Sequence, residues 1–297
     1  MNKILVTGSS GFLGNSICKE LGIDNVVYTL SRSNSTYNYD LINNIPIFNE
    51  NFDIVIHAAG LAHFIPKTEY EKKSFYNSNI LITENLLKAL KKSTIKNFIF
   101  ISSVSVYGLP TGNMISETQP LIATDPYGKS KIFSEFLISS WCKIHNVKLT
   151  ILRLPLLVGE NAPGNLASMI KGIKYGYYFN IANGKAKKSM VMVSDVSKIL
   201  MTVSEIGGIY NLTDTHHPSF FELSQSISKQ LNKKRIFNIP LFIAKIIANI
   251  GDLFGNWFPL NNTKLSKLTS SLTFDDSKAK YAFNWNPRKV IDVIKIK

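Results

Sequence analysis

"KILVTGSSGFLGNSICKEL" (residues 3–21) reads as an apolar strand, a glycine-rich turn and an amphipathic helix in immediate succession. Gly8, Gly11 and Gly14 are spaced G-x-x-G-x-x-G, not the tighter G-x-G-x-x-G. The physical logic is shared. Glycine permits the turn, lets backbone approach a pyrophosphate, and lets helix and strand pack closely; the helix N-terminus then offers unpaired amides to the anion. Phe12 and Leu13, which open the helix, are counted with the three glycines as cofactor-binding positions.

Further apolar runs follow at regular intervals: 25–31 (NVVYTLS), 52–60 (FDIVIHAAG), 97–103 (NFIFISS) and 147–155 (VKLTILRLP). Helical patterns over 71–93 and 128–145 separate the last three. Such alternation predicts an α/β fold, a Rossmann-type doubly wound parallel sheet with helices on both faces. Residues 1–160 form the expected dinucleotide-binding domain. Residues 161–297, where glycine and asparagine turns multiply, form a smaller mixed substrate-binding lobe, with segments near 190–215 returning to the main sheet. Ligands of such sheets bind at the carboxyl ends of the strands. Those ends carry the glycine turn, Ser31 and Arg32, His57 to Gly60, Ser102 and Ser103, and Pro155.

At 297 residues and 45% hydrophobic content, the chain is long enough to bury a large core. The start, "MNKILVTG", has no apolar stretch with a cleavage site behind it, so the expected location is the cytoplasm, at most peripheral to the inner membrane face. Cys18 and Cys142 resemble neither a disulfide framework nor a metal motif, and no metal is expected. The net charge of +14 is mostly lysine scattered along the chain, with no basic block interleaved with aromatics. No nucleic-acid partner is expected; generic codon bias or attraction to anionic surfaces accounts for the charge better.

"DPYGKSKIFSEFL" (125–137) supplies the chemistry. Asp125 and Pro126 mark a helix entry, and Tyr127 and Lys131, four apart, share a face. Ser103 ends a strand about two dozen residues earlier. A phenol of pKa near 10 is a poor base at neutral pH, but a neighbouring ammonium favours the phenolate. Tyr127 is therefore expected to exchange a proton with help from Lys131, while Ser103 holds the substrate oxygen and a bound cofactor carries the hydride.

On these residues the chain resembles an extended short-chain dehydrogenase/reductase of the epimerase/dehydratase type. The matching stretches are "VTGSSGFLG" (6–14), "YDL" (39–41), "VIHAAG" (55–60), "NSNILITENLL" (77–87), "KNFIFISSVSVYG" (96–108), "DPYGKSK" (125–131), "LRLPLLVG" (152–159) and "MVMVSDVSKI" (190–199). The resemblance implies a catalytic set of Ser103, Tyr127 and Lys131. It adds Asp40 and Leu41 beside an adenine, Ala58, Ala59 and Gly60 along the cofactor, and Asn79 and Pro155 on the cofactor side. It also implies a homodimer through 71–93 and 128–145.

Departures from the family pattern bear on specificity. Many NAD-using members end the second strand with an acid that bonds the ribose; here Ser31 and Arg32 stand, and Arg32 could pair with a 2′-phosphate. The cofactor expected is NADP(H) or NAD(H), with the first favoured. In "RLPLLVG" (153–159) the aromatic and asparagine with which UDP-galactose 4-epimerases touch the sugar nucleotide are missing, and Lys188 stands where those epimerases often have an arginine for the diphosphate; it keeps the charge and loses the fork. Together with 162–176, 187–195 and 267–287, these departures are similar to a subgroup from bacterial polysaccharide pathways. His63, Ser105, Asn165 and Lys188 are its expected substrate-binding residues.

The leading expectation is a 4-ketoreductase acting on a nucleotide-linked, UDP-N-acetyl-type hexose. The alternative is an NAD-dependent 4-epimerase of a nucleotide-linked or polyprenyl-diphosphate sugar. Dehydratases of the family place acids beside the serine, where this chain has Val104 and Ser105. A non-catalytic cofactor-binding scaffold is the reading from another class; relatives of that kind lack the tyrosine or the lysine.

In the C-terminal part, 220–232 reads as an amphipathic structural helix. "IPLFIAKIIANIGDLFGNWF" (239–258) is strongly apolar with a polar stripe of Lys245, Asn249 and Asp252. Pro240, Gly251 and Gly255 argue against a span. Two placements stay open: packing into the core or a dimer interface, or lying at a membrane surface with Phe254, Trp257 and Phe258 as anchors.

Overall fold

The computed structural model describes residues 1–62, 68–233, 236–254 and 260–296. The chain begins with β1 (Lys3–Thr7), α1 (Phe12–Leu21), β2 (Val26–Ser31), β3 (Tyr37–Asn38) and β4 (Ile54–His57). It continues through α2 (Glu69–Ala89), β5 (Asn97–Ser103), β6 (Gly112–Ile115), α3 (Pro126–Ile144) and β7 (Lys148–Leu154). Next come β8 (Leu156–Val158), α4 (Asn165–Tyr175), β9 (Phe179–Ile181), β10 (Met190–Met192), α5 (Val193–Ile206) and β11 (Gly208–Asn211). It ends with α6 (Phe220–Gln230), β12 (Phe237–Ile239), α7 (Leu241–Leu253), α8 (Asn262–Thr269), β13 (Leu272–Phe274) and two short helices, Ser277–Phe283 and Val290–Val293.

Among the described residues the main sheet has seven strands in the order β11-β7-β5-β4-β1-β2-β3, all paired in parallel. The apolar runs read from the sequence are its strands, and they are continuously apolar because both faces are covered. Ile4, Val6 and Ile56 face the layer of α1 and α5, while Leu5, Val55 and Phe98 face the layer of α2 and α3. The order reverses at β1, which lies between β2 and β4. That reversal opens a crevice at the carboxyl ends of β1 and β4.

Segment 190–215 divides. Gly208–Asn211 is the edge strand of the main sheet beside β7, whereas Met190–Met192 pairs with β8 in a separate two-stranded ladder. Pro155 accounts for the divergence: it has no N–H to donate, so the β7 ladder stops at Leu154 and the chain resumes as β8. Of two further small ladders, β9 with β12 lies within the C-terminal part and β6 with β13 ties that part to the N-terminal one.

Of the placements open for 239–258, the structure sets aside full burial in the core of this chain and leaves a dimer interface or a membrane surface. Only small residues, Ala244, Ala248 and Gly251, are buried along it. The polar stripe faces α8, where the Asn262 amide donates to Asn249 Oδ1 (2.8 Å) and to Asp252 Oδ2 (2.6 Å). The large apolar side chains point outward; Phe254 is exposed, and Trp257 and Phe258 lie outside the described residues.

Candidate active site

Gly8 ends β1 with φ +70°, a left-handed conformation that glycine adopts without strain. A Cβ there would lie 2.7 Å from the Ala59 amide nitrogen, so the turns after β1 and β4 are in direct backbone contact. Gly14 is tighter still: its Cβ would lie 2.0 Å from the Gly8 carbonyl oxygen. Helix α1 starts at Phe12 after Gly11, with no side chain capping its first amides. Leu13 is buried and Phe12 packs beside Gly159, so both side chains serve packing and their amides remain for an anion. This is a cradle of the shape a pyrophosphate needs, made from backbone alone.

Beside it, Ser103 ends β5 and Tyr127 occupies the first turn of α3. The Asp125 carboxylate accepts from the amides of Tyr127 (3.1 Å) and Gly128 (3.0 Å), and Pro126 stands where no N–H is needed. That capped start fixes where Tyr127 emerges. Its phenol lies beside Ser103, whose oxygen accepts from the Ser105 amide (3.2 Å) and whose hydroxyl donates to Ser105 Oγ (3.2 Å). Ser103, Ser105 and Tyr127 thus meet at one point.

One turn along α3, the buried Lys131 ammonium donates to the Ile101 carbonyl (3.0 Å) and lies 4.8 Å over the Phe100 ring. A Cβ on Gly60 would be 3.5 Å from both Lys131 Nζ and Asn79 Oδ1. Asn79 holds the strand-end loop from both sides: Oδ1 accepts from the Leu61 amide (2.7 Å) and Nδ2 donates to the Leu61 carbonyl (3.1 Å). Gly60, Asn79 and Lys131 therefore form a second group on the β4 side.

The electrostatics differ from the expectation drawn from spacing. Burial holds the Tyr127 phenol above the ordinary tyrosine range; the Ser103 hydrogen bond opposes this and the Asp125 charge adds to it. Lys131 does not reverse it, because its nitrogen is engaged with Ile101 and sits 6.0 Å from the Tyr127 ring centre. Burial pulls Lys131 itself down to about 8, with Glu135 opposing. His57, wholly buried between Thr7 (2.7 Å) and Thr83 (3.2 Å), is pulled down to about 3 by burial and then by the Lys131 charge. It is neutral at any working pH and serves the structure.

The other expected residues fall in varied places. Ser31 is buried with its hydroxyl donating to the Ser33 carbonyl (2.6 Å), while Arg32 is exposed and makes no ion pair among the described residues. Asp40 accepts from the Ile42 amide (3.1 Å) and the Asn43 amide group (2.8 Å). Leu41 commits its side chain to the core. Ala58 and Ala59 flank the cradle, and Pro155 is half-buried at the end of β7. Lys188 is half-buried and pulled down by burial and then by the nearby Lys267 charge. Asn165 is exposed at the start of α4, with no side-chain hydrogen bond among the described residues, and His63 lies outside the described residues.

One assembly escaped the sequence reading. Arg153, paired with Ser102 across the β5–β7 ladder, forms a buried ion pair with Glu135 of α3. The Ser102 hydroxyl donates to Glu135 Oε1 (2.6 Å), and Arg153 Nη1 donates to the Tyr107 hydroxyl (3.2 Å). The available signal was an arginine inside the apolar run "LTILRLP" together with a glutamate inside the helical pattern "FSEFL".

Fold and cradle together define an extended short-chain dehydrogenase/reductase. The chain belongs to the NAD dependent epimerase/dehydratase family, whose pattern matches residues 4–212. It is 26% identical over 298 residues to the N-acetyl-alpha-D-glucosaminyl-diphospho-ditrans,octacis-undecaprenol 4-epimerase of Escherichia coli O157:H7, covering 93% of this chain and 88% of the relative. It is 26% identical over 314 residues to the UDP-glucose 4-epimerase of Vibrio cholerae, covering 97% of this chain and 92% of that protein. Among solved structures, UDP-N-acetylglucosamine 4-epimerase from Bacillus cereus shares the fold with a TM-score of 0.72 at 22% identity, over 97% of this chain and 95% of that one.

Proposed function

We propose that this protein is a 4-epimerase of a diphosphate-linked hexose, with an N-acetylhexosamine as the favoured sugar. The observation that carries it is the meeting of Ser103 and Tyr127 beside the glycine cradle, with Lys131 one helical turn away. The relatives that cover nearly the whole chain carry 4-epimerase names, and they move the reading from reduction to epimerisation.

The residues that would hold the dinucleotide are the turn Gly8–Gly14, Ala58 to Gly60, Asp40, Asn79 and Lys131. A nicotinamide bound there supplies reversible oxidation at C4 of the sugar. Tyr127 takes the C4 hydroxyl proton and later returns it; Ser103, beside the phenol, holds the same oxygen. The phenol sits above its ordinary range in the structure, so its activation depends on positive charge arriving in the site, with Lys131 as the resident cation. Lys188, with Lys267 nearby, is the charge pair for a diphosphate. Residues 161–297 apart from α5 and β11 form the substrate lobe of this reading, and exposed Phe133 and Phe136 on α3 are the patch for a homodimer through α2 and α3.

Ketoreduction stays as the second reading on one observation: β2 ends at Ser31 and Arg32 follows, with no carboxylate to repel a 2′-phosphate and an arginine free of ion pairs among the described residues. Denaturing the purified protein and identifying the nucleotide it releases separates the two. Near-stoichiometric NAD supports the epimerase, because that cycle regenerates its cofactor in place. NADP(H), or nothing, supports the reductase.

A further inference from the structure

Helix α7 presents three distinct faces. Ala244, Ala248 and Gly251 pack inward, and Lys245, Asn249 and Asp252 form the flank towards α8. The third face carries Phe242, Ile246, Ile250 and Leu253 at i, i+4, i+8 and i+11, which lie on one side of a helix. They are 66%, 57%, 45% and 84% exposed. Folding has thus turned the small residues in and left the large apolar ones out, the reverse of what a core helix does. Just before the helix, Phe237 of β12, 74% exposed, pairs in register with exposed Phe179 of β9.

Charge decides what would cover such a face. From Gln230 to Phe274 the sequence holds six cations, Lys233, Lys234, Arg235, Lys245, Lys264 and Lys267, against the single acid Asp252. More widely, residues 161–297 carry +11 of the net charge of +14. A second copy of α7 and α8 would bring Lys245, Lys264 and Lys267 towards their counterparts, which opposes self-association; a surface of opposite sign and apolar interior suits them. Length excludes a span. Thirteen residues of helix measure about 20 Å against a hydrocarbon core of about 30 Å, and among the described residues no helix is long and apolar enough to cross a membrane.

We propose that the outward face of α7 docks the protein on an anionic lipid bilayer, with the helix lying in the interface plane. The proposal rests on this surface alone and does not depend on which sugar, or which reaction, the crevice serves. It has a consequence for access: α8, which packs on α7, carries the Lys267 whose charge reaches Lys188, so docking would bring those two cations towards the lipid surface.

The test is co-sedimentation of the full-length protein with phosphatidylcholine vesicles containing phosphatidylglycerol, against phosphatidylcholine alone. Wild type is expected to pellet with the anionic vesicles, and the variant combining Phe242→Ser, Ile246→Asn and Leu253→Gln to bind about tenfold more weakly or not at all. Wild type left in the supernatant overturns the proposal. Equal binding by wild type and the triple variant also overturns it, since net charge alone would then explain the attraction. So does a stable dimer without vesicles that the triple variant abolishes, because a second copy would then be the occupant. The single variant Phe242→Trp covers misfolding of the triple one: its emission should shift to the blue on adding anionic vesicles, and an unchanged spectrum counts against docking.

Discussion

Glu135 and Arg153 meet as a buried two-point pair, Nη2 to Oε2 at 2.7 Å and Nε to Oε1 at 3.1 Å, directly behind the serine that precedes Ser103. The pair ties α3, which carries Tyr127 and Lys131, to β7 and β5. It makes no contact with the Tyr127 phenol; its role is to position the strand end against the helix.

Breaking the pair should therefore act on stability and geometry together. Glu135→Gln leaves a buried guanidinium without its counter-charge, and a loss of about 3–5 kcal/mol is expected in denaturant unfolding. The double change Glu135→Leu with Arg153→Met removes both charges and should recover much of that loss. If the single and double variants unfold alike, the pair does not hold the two elements together.

Tyr127→Phe removes the hydroxyl that meets Ser103 and keeps the ring packed edge-on to Phe75. Turnover should fall about 10²–10⁴-fold, with dinucleotide content and melting temperature nearly unchanged. Comparable kcat in the variant would remove Tyr127 from the chemistry.

Lys131 gives a pH dependence of two opposite signs. Its pKa falls from 10.5 to about 8 on folding, so between those values the unfolded chain binds more protons than the folded one. Stability from this group therefore rises as pH increases through that window. Dinucleotide affinity that relies on the ammonium falls over the same range. Calorimetric titration and thermal unfolding across it should show the two trends diverging, and Lys131→Met should flatten both.

Gly14→Ala places a Cβ 2.0 Å from the Gly8 carbonyl oxygen, where backbone must move. Purified protein should lose its bound dinucleotide and melt well below wild type. Gly176→Ala is the control for backbone conformation alone: its φ is +81°, yet nothing lies within 4 Å of the added carbon. A cost of about 1–2 kcal/mol with nucleotide retained is expected there.

Much of this molecule was legible one element at a time. The strand 97–103 was read to the residue, and the helix carrying Tyr127 within two residues, because an uninterrupted apolar run, a proline and a capping aspartate are local signals. The glycine spacing announced the cradle because only a backbone without Cβ can close it. Spacing also set Tyr127 and Lys131 on one face of α3. It could not say that Lys131 would turn to Ile101 and Phe100, since that depends on what the neighbouring strand offers.

Elsewhere, one apolar string allowed several outcomes. In 239–258 the sequence determined a helix with a polar stripe; only packing decided that alanine and glycine would face inward, because α8 and its Asn262 claim the polar flank. Met190–Met192 and Gly208–Asn211 both read as strands, and the Pro155 break decided which of them reached the main sheet. Glu135 and Arg153 are eighteen residues apart in sequence, each alone among apolar neighbours. Local pattern determined the elements and the catalytic residue types. The pairing of distant buried charges and the choice of buried faces were left to tertiary structure, because desolvation is set by every element that packs on a site.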